Sequence, residues 1–261
     1  MILGLAELFD FIDDGFRVAA LVFFRIGAVM ALLPLFGEQT VSVRVRLALA
    51  LAFTIVVFPG VVPGIDPLPA ALLPWLSYAM PEVLTGLLFG LALRLFVLSL
   101  QIAGTIAAQS TSLSQIFGGS AGADPQPAMG HVLTVSGLAL LALLGFHVKA
   151  AEYLIISYQI VPAGELPSPT VVAEAGVDLV SRAFALAFVL AAPFLLASLI
   201  YNITLGVINR AMPQLMVAFV GAPAITAGGL ILLLLSAPIA LSVWVEAVGL
   251  FLANPFAGGG P

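Results

Sequence analysis

Long apolar runs cut by proline and glycine constrain this chain more than any other feature. They cover residues 16–36, 47–62, 72–108, 131–146, 171–212 and 215–252. About 20 consecutive apolar residues suffice for a helix to cross a bilayer, and most of these runs reach or exceed that length. Charge is too sparse to cover a globule in water. Charged residues are 8% of the chain against 62% hydrophobic, with a mean hydropathy of +1.22, where soluble domains carry about 25% charged residues. The fold class that follows is all-α, of the integral membrane type.

Several function classes drop out at once. The net charge of −5 offers no basic patch for nucleic acid. There is no cysteine, hence no disulfide or thiolate site. His131 and His147 are the only histidines, and no His/Asp/Glu cluster has metal-ligand spacing. No nucleotide-binding or nucleophile motif is present, so an intramembrane enzyme has no constellation to rest on and no cofactor is implied.

Residues 1–15 lack the basic start of a secretory signal and carry Glu7, Asp10, Asp13 and Asp14. Leu5, Leu8, Phe9, Ile12 and Phe16 recur at helical spacing. That predicts a short amphipathic helix, either interfacial or simply presenting an acidic face to solvent. Arg25 lies well inside the first apolar run. A central arginine costs at least ~2.5 kcal/mol to insert, so it should face protein or water and hold a carboxylate or carbonyl partner. Pro34 and Gly37 end this run, and Glu38, Arg44 and Arg46 frame the turn GEQTVSVRVR. Glu38 is the nearest carboxylate in sequence to either arginine.

The third run should be broken early by Pro74 and Pro81, then read as one helix of ~40 Å from Glu82 onward. Gly86 and Gly90 form a GxxxG pair that permits close helix contact. Arg94, Gln101 and Thr105 fall within roughly one 40° sector of that helix, with Gln109 at its edge. A secondary transporter with Arg94, Glu82 and Gln101 at mid-membrane is one reading of this stripe. The run at 101–130, QIAGTIAAQSTSLSQIFGGSAGADPQPAMG, must leave helix after Ile116, because Gly118–Gly119 and Asp124–Pro125 are turn signals. It is either an ordinary surface loop or a functional loop inside a pathway.

Beyond it, His147 reads as a hydrogen-bonded interface residue more readily than as a proton carrier, and Lys149 can pair with Glu152 on one helix. Pro162, Gly164, Pro167 and Pro169 form a stiff connector, the best internal boundary. Pro193, Pro223 and Pro238 should kink the last two runs, which meet at Pro213 and Gln214. Ser198, Asn202, Gly206 and Asn209 share one face, closed by Arg210, and such a face should pack on protein rather than lipid.

Four stretches together resemble the FliR/SctT family of type III secretion export-gate proteins. They are RIGAVMALLPLFGEQTVSVRVRLALALAFT at 25–54, GLLFGLALRLFVLSLQIAGTIAAQ at 86–109, the Asp124–Pro125 loop with LALLALLGFHVKAAEYLIISYQIVPAG at 138–164, and NITLGVINRAMPQLMVAFVGAPAITAGGL at 202–230. The chain departs from the family pattern at Gln109-Ser110-Thr111 and at GFHVKA.

The resemblance implies long kinked helical hairpins, with a FliP-like part at 1–165 fused to a FliQ-like hairpin at 170–261. It implies a non-enzymatic channel subunit in the bacterial inner membrane, at the flagellar basal body. The implied partners are FliP-like and FliQ-like subunits, FlhB-like and FlhA-like export components, and unfolded secreted proteins. It also implies a plug loop at about 109–127. Gln109, Ser114 and Gln115 would then belong to the plug, with Ile116 and Phe117 as its apolar constriction, Gly118, Gly119 and Gly122 as the hinge, and Asp124 and Pro125 as the return.

Overall fold

The computed structural model describes residues 2–65, 68–69, 71–110, 128–212 and 217–256, with side chains of 2–13, 72–73, 209 and 217–224 outside the description. The described residues are helical, with no strand among them. The elements are α1 (Ile2–Leu32), α2 (Val43–Val61), a 3₁₀ turn (Val62–Gly64), α3 (Leu72–Ser110), α4 (Ala128–Leu143), α5 (Phe146–Ile160), α6 (Pro169–Ala211) and α7 (Val217–Ala253). Five helices are long and apolar enough to cross a membrane, or up to six spans if the broken pair α4 and α5 counts as one.

Two expectations from sequence are corrected here. The N-terminal amphipathic segment is not a separate helix, because α1 runs without interruption from Ile2 into the first apolar run. Its acidic residues lie on the same cylinder as the apolar ones. Pro74 and Pro81 do not break the third run either. Pro74 sits in the first turn of α3, where its missing N–H would be an orphan in any case. Pro81 is carried within the helix, and the residue beside it, Glu82, is fully buried in polar contacts. Pro193 likewise lies inside α6, and Pro223 and Pro238 fall within the span of α7.

Other boundaries have local causes. Ser42 caps α2 by accepting from the Val45 N–H. The turn before it is tight: Leu35 has φ 74°, and a Cβ on Gly37 would come within 2.9 Å of backbone atoms of Ala31 and Leu33. Gly145 separates α4 from α5 at φ 74° with open space around its Cα. Glycine is needed there for backbone conformation, not for room.

The chain packs as two compact units. The first takes residues 1–94, 142–178 and 250–261; the second takes 95–141 and 179–249. The proline connector at 162–169 lies inside the first unit. In that unit, α3 passes close to α1, where a Cβ on Gly86 would collide with the Arg25 carbonyl and Ala28, and one on Gly90 would press on Leu32 and Val29. An aromatic cluster of Phe89, Tyr153, Phe251 and Phe256 fills out its core. In the second unit, α3 and α4 approach backbone to backbone at Gly104 and Gly130. Trp244 is fully buried there, lies over Gly137 and donates its indole N–H to the Phe96 carbonyl at 2.7 Å.

Candidate functional site

The first unit is built around Arg25, fully buried on α1. Its Nε donates to Glu82 Oε2 at 2.7 Å and Nη2 to Glu82 Oε1 at 2.8 Å, a bidentate fork. Nη1 donates to the carbonyls of Ser157 (3.1 Å) and Val161 (2.8 Å), and Nη2 reaches that of Pro162 at 3.3 Å. A guanidinium has five N–H donors, and this set occupies them all. The acceptor carbonyls are those of the last turn of α5 and the residues after it. Such carbonyls have no partner within the helix and lie at the negative end of its dipole.

Glu82 is equally engaged. Its Oε1 also accepts from the Gly164 N–H at 2.8 Å, and its Oε2 from the Tyr158 hydroxyl at 3.1 Å. The Tyr158 ring lies 3.8 Å from the guanidinium carbon, a contact favourable to a cation. Gly164, at φ 77°, packs directly on the Tyr78 ring and has no room for a side chain. Two buried charges thus join α1, α3 and the end of α5, and fix the connector that follows.

A second polar group holds the turn between α1 and α2. Arg46 Nη2 donates to the Glu38 carbonyl at 3.0 Å, with longer reaches to the carbonyls of Gly37 and Val41. The Glu38 carboxylate pairs with Arg94. Neither Arg44 nor Arg46 takes the carboxylate that is nearest to them in sequence, and Arg44 is exposed. Glu82 and Arg94 therefore belong to different ion pairs, and the mid-membrane site formed by Glu82, Arg94 and Gln101 does not exist. Gln101 is half-buried, and Thr105 folds back on its carbonyl at 2.8 Å.

In the second unit the helix ends that flank residues 111–127 are firmly seated. Gly104 meets Gly130, and Ala107, Ala108 and Met129 are buried with Phe194. Gln109 is exposed at the end of α3. Ser114, Gln115, Ile116, Phe117, Gly118, Gly119, Asp124 and Pro125 lie outside the described residues, as do Pro213 and Gln214. Asn202 and Arg210 are exposed on α6, and Ser198 is half-buried. The side chain of Asn209 lies outside the description.

Sequence reading demanded a partner for Arg25 but did not find Glu82, Tyr158 or Gly164. One signal for Glu82 was available: it is a carboxylate at the head of a long apolar helix, and a burden there without an arginine to match.

These features define a class, namely a polytopic helical membrane protein whose buried charges tie helices together. Residues 16–250 match the sequence profile described as bacterial export proteins, family 1. The flagellar biosynthetic protein FliR of Caulobacter vibrioides is 34% identical over 88% of this chain and 92% of its own length. That of Aquifex aeolicus is 31% identical over 84% of each, and that of Escherichia coli 26% identical over 76% of each. The chain belongs to the FliR family of bacterial export proteins.

Proposed function

We propose that this chain is a pore-forming subunit of the gate through which the flagellar type III apparatus exports unfolded proteins. Family membership makes it a component of that apparatus. The finer reading is a non-catalytic subunit of the inner membrane, packed with FliP-like and FliQ-like subunits and adjoining FlhB-like and FlhA-like components. Its own 170–261 region would serve as the FliQ-like hairpin, fused to a FliP-like 1–165.

One observation carries the subunit reading. Between Val180 and Ile208, α6 exposes Phe184, Phe188, Leu196, Ile200 and Ile203. At 1.5 Å per residue that apolar face is ~42 Å long, while a hydrocarbon core is ~30 Å thick. Upright, that face overruns the core by roughly 12 Å, and a partner subunit covering the end where Asn202 and Arg210 are also exposed would take up the excess.

The test is co-purification. The wild-type chain should bring down FliP-like and FliQ-like proteins, and Asn202→Leu should reduce the yield of that complex while the chain itself still accumulates in the membrane. Full yield with normal export would refute the assignment of this face.

Within the gate, residues 109–127 would act as the plug. Ile116 and Phe117 would form an apolar constriction that excludes water and ions, with the glycines at 118 and 119 as its hinge. The seating of Gly104 on Gly130 supports this, since a plug must be held at both ends. Deleting residues 114–122 should leave assembly intact and make the membrane leak ions. An assembled complex with unchanged conductance would remove the plug role.

A further inference from the structure

The aromatic cluster of the first unit draws on distant parts of the chain. Phe89 on α3 and Tyr153 on α5 come early. Phe251 and Phe256 come only after the whole of the second unit, whose last residue is Gly249. Tyr153 ties α5 to α3 by donating its hydroxyl to the Phe89 carbonyl at 2.9 Å. Both residues are buried, and the end of α7 helps to bury them. Phe251 lies against Tyr153 with ring centroids 6.0 Å apart, and Phe256 against Phe89 at 5.2 Å.

The sequence LFLANPF at 250–256 explains how the chain turns onto this cluster. A residue before proline is steered away from helical backbone, so α7 stops at Ala253, just before Asn254 and Pro255. The Asn254 N–H still donates to the Leu250 carbonyl at 3.1 Å. Pro255 is buried, and its ring fixes φ and so stiffens the turn. Phe256 then adopts φ 59°, a left-handed backbone that bulky residues rarely take. Such a conformation persists only where the surroundings over-determine it. Here the Phe256 ring does so, standing edge-on to both Phe89 and Phe251, a favoured aromatic geometry.

We propose that residues 250–256 are a clasp that closes the core of the first unit, so that this unit is completed only after the second has been synthesised. The Arg25–Glu82 junction does not wait for the clasp, because its partners lie between Arg25 and Gly164. The aromatic side does wait. Until residues 250–256 arrive, the Phe89 and Tyr153 rings lack the cover of Phe256 and Phe251. Uncovered apolar surface is what chaperones and proteases act on, so the clasp separates a chain fit to persist from one that is removed.

The chain has no cysteine, so a single introduced thiol reports on each unit in turn. Ala92→Cys is buried one turn from Phe89 in the first unit, and Ala191→Cys is buried on α6 in the second. Labelling of the purified full-length protein by a water-soluble maleimide is timed for each. Phe256→Gly removes the ring and leaves a residue at ease with left-handed backbone. It should speed labelling at position 92 by roughly tenfold, as loss of a packed ring from a local opening equilibrium predicts, and leave position 191 unchanged. Phe256→Tyr keeps the ring and should match the parent at both positions. Ending the chain after Ala253 should speed labelling at position 92 at least as much as Phe256→Gly. If the thiol at 92 disturbs packing, Leu252→Cys, buried on the clasp itself, takes its place. Equal acceleration in both units would overturn the proposal, since Phe256 would then support the molecule as a whole. So would unchanged labelling of the first unit in Phe256→Gly, or full protection in the shortened chain.

Discussion

Both units bring apolar helices together at glycines, and the first adds a buried charged pair to that device. The first holds α1, α3 and α5 together through Arg25 and Glu82, a pair with neither charge exposed. In the second, helices meet through small residues, Gly104 on Gly130 and Ala107 and Ala108 against Met129 and Phe194. A long-range side-chain hydrogen bond there runs from Trp244 to the Phe96 carbonyl. A charged junction is specific but brittle, since removing either member strands the other. A glycine junction depends only on space, so it fails by obstruction and not by loss of a partner. In a lipid environment, where apolar burial gives no drive for helices to associate, both devices are needed where either alone would be marginal.

The largest expected effect lies at the charged junction. Arg25→Met leaves the Glu82 carboxylate buried beside Tyr158 and Gly164 and removes the guanidinium donors from the carbonyls of Ser157, Val161 and Pro162. It should cost about 3–5 kcal/mol, the usual range for breaking a buried pair from one side. Glu82→Leu alone should fall in the same range. The double variant Arg25→Met/Glu82→Leu should recover part of that loss, because no charge remains unpaired, but not all of it, because the Val161 carbonyl loses its Arg25 donor and the Ser157 and Pro162 carbonyls keep only the backbone N–H groups of Val161 and Glu165. Thermal unfolding of the purified proteins in one detergent gives the three shifts. Strictly additive single effects would mean that Arg25 and Glu82 do not act as a pair.

The glycine junction should respond less, and in a graded way. At Gly104 an added Cβ runs into the backbone of Gly130, which cannot rotate aside. At Gly137 it meets the tip of Leu100 and the Trp244 ring, of which the leucine can change rotamer. Gly104→Ala should therefore cost about 1–3 kcal/mol, as overpacking does, and Gly137→Ala less. The same thermal assay ranks them. A reversed order would show that the approach of α3 to α4 is looser than the separation of Gly104 and Gly130 indicates.

How much of this was legible in the sequence depends on the range of the signal. Helix class, the apolar runs and the glycine or proline that ends most of them are local and were readable. So was the demand that Arg25 find a partner. The partner's identity was not, because Glu82 is 57 positions away, and periodicity within one helix says nothing about which neighbour it faces. The GxxxG pair at Gly86 and Gly90 looked weak among 25 glycines, yet it marks the place where α3 crosses α1 beside Arg25. Sequence proximity misled once: Glu38 lies close to Arg44 and Arg46 along the chain, but its carboxylate points across to Arg94 on α3. Helix continuity through Pro81 was missed because a proline cost of ~3 kcal/mol holds for an isolated helix interior, and tertiary contacts on both sides of the residue can outweigh it.

The smallest effect should be Glu38→Gln, and it is the sharpest test of why the two ion pairs of the first unit differ. Arg94 and Glu38 retain 24% and 19% exposure of their side chains, against none for Arg25 and Glu82. Water can reach the partly exposed pair, so the arginine left by the substitution is solvated instead of stranded, and the glutamine carbonyl still accepts from it. Arg46 holds the same turn through backbone carbonyls that the substitution leaves untouched. The loss should stay below about 1 kcal/mol, in the range of exposed pairs, and should shrink further in high salt. Glu82→Gln, measured alongside, should cost several times more and be insensitive to salt. If the two glutamine variants shift the unfolding midpoint equally, burial is not what separates the pairs, and the turn at 37–46 is as much a part of the core as the junction at Arg25.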